Sequence, residues 1–180
     1  MTLQAYTGHL QSRAALACLV ALAGATAVIL TALAFEHIGG YMPCPLCLQQ
    51  RYAYYFAIPA LVGALALQLT GRLTAARVLF AGVAVAFLIN AGLGVYQSGA
   101  EWKFWDPPAS CAAPSSLPTF DLKQQSFDRI PVSCGVASWR FLGFSFAGWN
   151  ALASLLLAAI AIIALLTPNR PQVAVHGASR

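Results

Sequence analysis

The stretch PCPLCLQQRYAYYFAIPALVGALALQL, residues 43–69, joins a Cys-x-x-Cys pair to a long apolar run. From Tyr52 to Leu69 the run contains no Asp, Glu, Lys or Arg. A helix of this length, rising about 1.5 Å per residue, spans most of a hydrocarbon core about 30 Å thick. The stretch therefore predicts a transmembrane helix that begins beside two thiols.

Three further blocks share this length and this lack of charge: residues 16–35, 78–96 and 144–166. Over all 180 residues, 59% are hydrophobic and 8% are charged, whereas roughly a quarter of the residues in a soluble domain are charged. We expect one integral membrane domain, residues 1–180, folded as an all-α, four-transmembrane-helix bundle. The net charge of +5 is scattered along the chain and gives no support for nucleic-acid binding.

The first block has an alternative interpretation, because Ala32-Leu33-Ala34 resembles a signal-peptidase site that follows an apolar stretch. The block is longer than the apolar core of a usual signal peptide, and Arg13 is the only Lys or Arg before it. We therefore expect it to be retained as a transmembrane helix.

The orientation follows from the cysteines. Four spans place both termini on one side and the loops at about 36–51 and 97–143 on the other, and Lys and Arg divide equally between the sides. Four of the five cysteines lie in these two loops: Cys44, Cys47, Cys111 and Cys134. Because disulfides persist in oxidising compartments, we expect the loops to be periplasmic and the termini cytoplasmic. Cys18, inside the first span, is predicted to be a small buried hydrophobic residue.

Four thiols on one side of a membrane fit three kinds of site. A closed zinc site with four cysteine ligands usually has two Cys-x-x-Cys knuckles, but 22 residues without a histidine separate Cys111 from Cys134. Structural disulfides are the second possibility, although a Cys-x-x-Cys bridge closes so short a loop that it constrains the unfolded chain little. We favour the third, redox chemistry. The alternative is a non-catalytic membrane protein with structural disulfides or a four-cysteine zinc site.

The residues around the Cys-x-x-Cys pair suit redox chemistry. Pro43 and Pro45 fit the start of a helix, and the N–H groups at that end favour thiolate at Cys44 and Cys47. Arg51 follows one turn later on the same face, where it can stabilise an anion, although an interfacial snorkelling role is the alternative. A site at the membrane surface can reach lipid-soluble electron acceptors, of which quinone is the obvious one. The sequence contains no pattern typical of a flavin or nicotinamide fold.

Together with the four spans, three segments resemble the disulfide bond formation protein B (DsbB) family of bacterial inner membranes. They are PCPLCLQQR, GVYQSGAEWKFWDPPASC and CGVASWRFLGFSFAGWNAL. The resemblance implies a quinone-dependent protein-dithiol oxidoreductase without metal or flavin. Such an enzyme reoxidises a periplasmic DsbA-like thiol oxidase and passes two electrons to the membrane pool of ubiquinone or menaquinone.

The resemblance also implies residue roles. Cys111 is the sulfur attacked by the partner, and Cys134 is its disulfide mate. Cys44 exchanges with Cys134, Cys47 lies against the quinone ring, and Arg51 polarises the quinone carbonyl.

Other positions are less directly tied to that chemistry. His37 is a further candidate for quinone binding, with an interfacial role as the alternative. Many family members have an acidic residue where this chain has Gly135, and relatives with the same G-x-E-W segment often have histidine where it has Gln97. The protein is either a general member of the family or a specialised paralogue that serves a dedicated partner.

Three remaining features carry structural expectations. The segment APSSLPTFDLKQQSFDRIP, between Cys111 and Cys134, predicts either a short interfacial helix or a flexible loop. Asn90 and Asn150 lie inside spans, where we expect them to pair across helices. An aromatic belt at the membrane surface is predicted from Trp102, Trp105 and Trp139.

Overall fold

The computed structural model describes residues 13–108, 111 and 134–167. Its helices are α1 (Arg13–His37), α2 (Pro45–Leu69), α3 (Leu73–Glu101) and α4 (Phe146–Leu166). They contain 25, 25, 29 and 21 residues, and each is long and apolar enough to cross a membrane. The prediction of an all-α, four-transmembrane-helix bundle is confirmed. The segment between Cys111 and Cys134, predicted to be an interfacial helix or a loop, lies outside the described residues.

The helices form a closed ring in which each packs against two neighbours. The extensive contacts are α1 with α2, α2 with α3, α3 with α4, and α4 with α1. Alanine dominates the buried core, and Tyr54, Phe80 and Phe87 are its largest fully buried side chains. In lipid, helices associate through close packing of small residues rather than through water exclusion, so an alanine-rich core suits this bundle.

Polar side chains inside the spans are paired between helices. Asn90 Nδ2 donates to Ser154 Oγ at 2.9 Å, and Asn150 Nδ2 donates to Gln50 Oε1 at 2.6 Å. The expectation that both asparagines pair across helices is confirmed. Cys18 is fully buried and donates its S–H to the Leu61 carbonyl oxygen, which confirms its prediction as a small core residue.

Two helices begin at places that the apolar runs alone do not mark. Helix α2 begins at Pro45, ahead of the uncharged run that starts at residue 52, because Cys44 and Pro45 form its cap and first turn. Helix α4 begins at Phe146 rather than at 144, because β2 (Phe144–Ser145) pairs antiparallel with β1 (Arg140–Phe141). This small hairpin was not predicted, and it connects the segment after Cys134 to the start of α4.

Candidate functional site

The first disulfide lies at the start of α2. Cys44 and Cys47 are bonded to each other, with their Cα atoms 5.0 Å apart. Cys44 is the N-cap of the helix, and its sulfur accepts a hydrogen bond from the Cys47 backbone N–H at 3.1 Å. Pro45 needs no hydrogen-bond acceptor at the first helical position. The backbone therefore holds the pair where the partial positive charge of the helix end favours thiolate.

The second disulfide packs against the first. Cys111 and Cys134 are bonded, with their Cα atoms 5.3 Å apart, and this pairing is the one that the resemblance implied. Cys44, Cys111 and Cys134 form one buried cluster with Leu46, and Cys47 lies at its edge. Lys103 Nζ donates to the Gly135 carbonyl oxygen at 2.9 Å, which ties the residue after Cys134 to the end of α3.

A cavity of about 520 Å³ opens beside the first disulfide. Cys44 and Cys47 line it, whereas its described lining does not include Cys111 or Cys134. Three aromatic side chains form part of its wall. The ring centroids of Phe35, Trp139 and Phe146 lie between 4.9 and 5.6 Å apart. The Cys44–Cys47 disulfide therefore separates an apolar cavity from the second disulfide.

One wall of the cavity carries an ion pair. Arg51, one turn after Cys47, forms a salt bridge through its guanidinium with the carboxylate of Glu36 at the end of α1. The two side chains are 12% and 25% exposed, and both line the cavity. A guanidinium has five N–H donors, so this ion pair holds Arg51 in place and leaves donors for a further acceptor.

Uncharged amides and one carboxyl group also line the cavity beside the first disulfide. Gln97, in the last turns of α3, contacts both sulfurs of the first disulfide, with Nε2 3.4 Å from Cys44 Sγ and 3.4 Å from Cys47 Sγ. Gln50 of α2 donates to the Gln97 side-chain oxygen at 2.7 Å. Glu101, which is 8% exposed, also lines the cavity.

The structure brings together most of the site residues that were predicted from the sequence. Cys44, Cys47 and Arg51 meet at the cavity, and Cys111 and Cys134 lie directly behind the first disulfide. His37 is the exposed last residue of α1 and is not among the described residues that line the cavity, so its role in quinone binding stays a prediction.

Several residues of the site were not identified from sequence. Glu36, Gln50 and Glu101 were not singled out, and Trp139 was assigned only to the aromatic belt. The two acids had a usable signature, because Glu36 and Glu101 each lie at the end of an apolar block in a chain with only five acidic residues. Gln50 and Trp139 had none. Among the described residues, no group of three or more His, Cys, Asp or Glu side chains is arranged to hold a metal ion.

Comparisons with known proteins identify the family. The model of the family described as disulfide bond formation protein DsbB matches residues 13–164. Disulfide bond formation protein B of Polaromonas naphthalenivorans is 33% identical over 169 residues, which cover 86% of this chain and 93% of the relative. The protein of the same name from Marinobacter nauticus is 31% identical over 154 residues, 79% of this chain and 88% of the relative. A third, from Paracidovorax citrulli, is 28% identical over 147 residues, 76% and 78% of the two chains.

No solved structure matches the chain significantly. The family match extends over almost all described residues, including both disulfides and the four helices. The chain therefore belongs to the disulfide bond formation protein DsbB family, as a multi-pass membrane protein that functions in disulfide bond formation.

Proposed function

We propose that this protein is a membrane thiol:quinone oxidoreductase. It reoxidises a periplasmic DsbA-like dithiol protein and passes two electrons to ubiquinone or menaquinone. It lies in the bacterial inner membrane with both termini cytoplasmic and both cysteine-bearing loops periplasmic. A relative that serves one dedicated partner would use the same chemistry, and the choice of partner does not alter the roles given below.

The observation that carries this proposal is the two-sided position of the Cys44–Cys47 disulfide. One side contacts the buried cluster that contains Cys111 and Cys134. The other side faces the apolar cavity. A disulfide that only braced a loop would have no need of both neighbours, whereas a relay between a thiol partner and a lipid-soluble acceptor requires them.

The thiol steps use residues of this chain alone. A thiolate of the partner attacks Cys111, forms a mixed disulfide and releases Cys134 as a thiolate. The Cys134 thiolate then attacks Cys44 and forms a Cys44–Cys134 bond. The Cys44–Cys47 bond breaks, and Cys47 leaves with the electron pair as a thiolate at the edge of the cavity. The start of α2 favours negative charge on the pair, because the partial positive charge of the helix end lies there and the Cys47 backbone N–H donates to Cys44 Sγ.

The cavity fits a quinone. Its aromatic wall of Phe35, Trp139 and Phe146 suits a flat ring, and its apolar lining along α1 and α4 suits a lipid-like tail. Arg51 supplies N–H donors for a carbonyl oxygen and favours negative charge there. A bound quinone supplies the capacity to accept two electrons and two protons.

The proposal is tested by purifying the protein into liposomes with reduced DsbA-like partner and measuring quinone reduction by its ultraviolet absorbance. Single Ala variants of Cys44, Cys47, Cys111 and Cys134 should each abolish turnover. The fifth cysteine is the matched control, and Cys18→Ala should retain wild-type turnover. If folded wild-type protein reduces neither ubiquinone nor menaquinone analogues, the proposal fails and the cysteines revert to a structural role.

A further inference from the structure

The Gln97 side chain is positioned to act on the first disulfide. Its Nε2 atom lies 3.4 Å from each of the two sulfurs, Cys44 Sγ and Cys47 Sγ. Gln97 is 4% exposed, so bulk water does not compete for this contact. A primary amide carries two N–H donors on that nitrogen and an acceptor on its oxygen. The effect of Gln97 on the sulfurs therefore depends on which end of the amide faces them.

A chain of hydrogen bonds sets that orientation. Tyr54 donates its O–H to Asn150 Oδ1 at 2.6 Å, and Asn150 Nδ2 donates to Gln50 Oε1 at 2.6 Å. Gln50 Nε2 in turn donates to Gln97 Oε1 at 2.7 Å. Each amide in the chain accepts through its oxygen and donates through its nitrogen. The order begins at a hydroxyl group in the middle of α2 and ends at the disulfide.

Glu101 favours the same orientation from the other side. Its Oε1 atom lies 3.5 Å from Gln97 Nε2, and in the ionised form of Glu101 this oxygen can only accept. If the Gln97 amide turned over, its oxygen would face the Glu101 carboxylate and its N–H groups would face the N–H groups of Gln50. Both contacts would be repulsive and buried, which is costly at low dielectric. The N–H end of Gln97 is therefore held toward the sulfurs.

We infer that Gln97 is a catalytic residue that stabilises the thiolate form of the Cys44–Cys47 pair, with Gln50 and Asn150 as positioning residues that orient it. A sulfur in a disulfide is a weak acceptor, whereas a thiolate is a charged and much stronger one. The same N–H groups thus stabilise the reduced pair more than the oxidised pair. This inference rests on the proposed redox role of the pair, but it does not depend on the identity of the electron acceptor.

Gln97 serves the exchange step without having to move. When the incoming Cys134 thiolate bonds to Cys44, the Cys44–Cys47 bond breaks and Cys47 becomes the thiolate. Because Gln97 Nε2 is equidistant from both sulfurs, a donor is already beside the atom on which charge develops. Loss of the donor should make the pair harder to reduce. We expect a roughly tenfold fall in the equilibrium constant for its reduction, about 30 mV for a two-electron couple.

The test measures the reduction potential of the pair in the full-length protein, without quinone or partner protein. Wild type and variants are equilibrated in glutathione redox buffers, trapped with an alkylating reagent and analysed by mass spectrometry of the peptide that contains Cys44 and Cys47. The principal variant is Gln97→Met, which keeps the length and flexibility of the side chain and removes its N–H groups. Gln97→His keeps a ring N–H donor and should recover part of the lost potential.

The matched control is Gln68→Met, because Gln68 is an equally buried glutamine on α2, about five helical turns away from Gln50. We expect its potential to equal that of wild type. Gln50→Met should shift the potential in the same direction as Gln97→Met and by less, since it removes only the orientation.

A Gln97→Met protein that folds and keeps the wild-type potential overturns the inference. If Gln97→Met does not fold, the test is made with Gln50→Met, and an unchanged reduction potential in that variant also overturns the inference. Failure of the proposed function is a separate result, seen as absent quinone turnover in wild type while the potential of the pair still responds to Gln97.

Discussion

At Gly94, α3 approaches α4 closely, and an alanine there should separate the two helices. An added Cβ would lie 2.9 Å from the Ala147 carbonyl oxygen and 2.9 Å from Ala151 Cβ. Nonbonded carbon atoms are comfortable at roughly 3.5–4.0 Å. The Gly94→Ala variant therefore requires a local displacement of roughly half an ångström to one ångström. Backbone lies on the far side of the contact, so no flexible side chain can absorb the change.

Gly92 is the matched control on the same helix. No described atom lies within 4 Å of a Cβ built at Gly92, so Gly92→Ala brings no clash. It removes the conformational freedom of a helical glycine, which is worth up to about 1 kcal/mol. At Gly94 the same gain in stability is offset by overpacking, which typically lowers the free energy of unfolding by about 1–3 kcal/mol. We expect Gly94→Ala to destabilise the protein by about 1–2 kcal/mol and Gly92→Ala to be neutral or stabilising.

The measurement is the free energy of unfolding in mixed micelles, from SDS titration followed by circular dichroism. A functional consequence should accompany it, because Asn150 is one turn after Ala147 on α4 and its hydrogen bond to Gln50 is only 2.6 Å long. Displacement of α4 weakens that bond, so turnover should fall in Gly94→Ala and not in Gly92→Ala. Equal stability of the two variants would refute the packing argument.

Three further predictions concern single side chains. Arg51→Gln or Glu36→Gln alone should lower the free energy of unfolding by about 2 kcal/mol, because each leaves a partly buried charge unpaired. Breaking a fully buried pair costs more, roughly 3–5 kcal/mol. The double variant should regain stability in SDS titration but not quinone turnover, and full recovery of turnover would remove Arg51 from the acceptor site. Cys18→Ala should lower the free energy of unfolding by about 1 kcal/mol, because it leaves a small void. Alkylation assays should find the same number of disulfides as in wild type, and a changed number would contradict the assignment of Cys18 to the core. Gly99→Ala should displace the Trp105 ring, because the new Cβ would lie 2.0 Å from Trp105 Cζ2. We expect a red shift in tryptophan emission relative to Gly92→Ala, and identical spectra would contradict this displacement.

The start of α2 shows what could be predicted from local sequence. Pro45 has no N–H to satisfy and Cys44 supplies the capping sulfur, so adjacent residues specify the start of the helix. The helical rise then brings Arg51 one turn beyond Cys47. The four spans are equally local, because each depends only on a run of apolar residues long enough for the membrane. The cysteine pair, its arginine neighbour and the number of helices are all consequences of short-range order.

The rest of the site joins residues that are far apart in the chain. Gln97 meets Cys47 across 50 residues, and Asn150 meets Gln50 across 100. No periodicity within one helix says which of its faces will meet those partners, or at what depth. The sequence showed that this chain has Gln97 where relatives often have histidine, but it did not show that Gln97 contacts both sulfurs.

By itself, the sequence determined the membrane class, the four helices and the placement of a Cys-x-x-Cys pair at a helix start. Hydrogen bonds within each helix and transfer of apolar residues into lipid decide these features one segment at a time. Only the tertiary structure decided that the first disulfide lies between a second disulfide and a cavity, and that a hydrogen-bonded chain of amides from three helices ends at it. Those relations depend on the rotation and depth of each helix, which are set by close contacts such as Gly94 against Ala147. Each such contact needs two helices to exist before it can form.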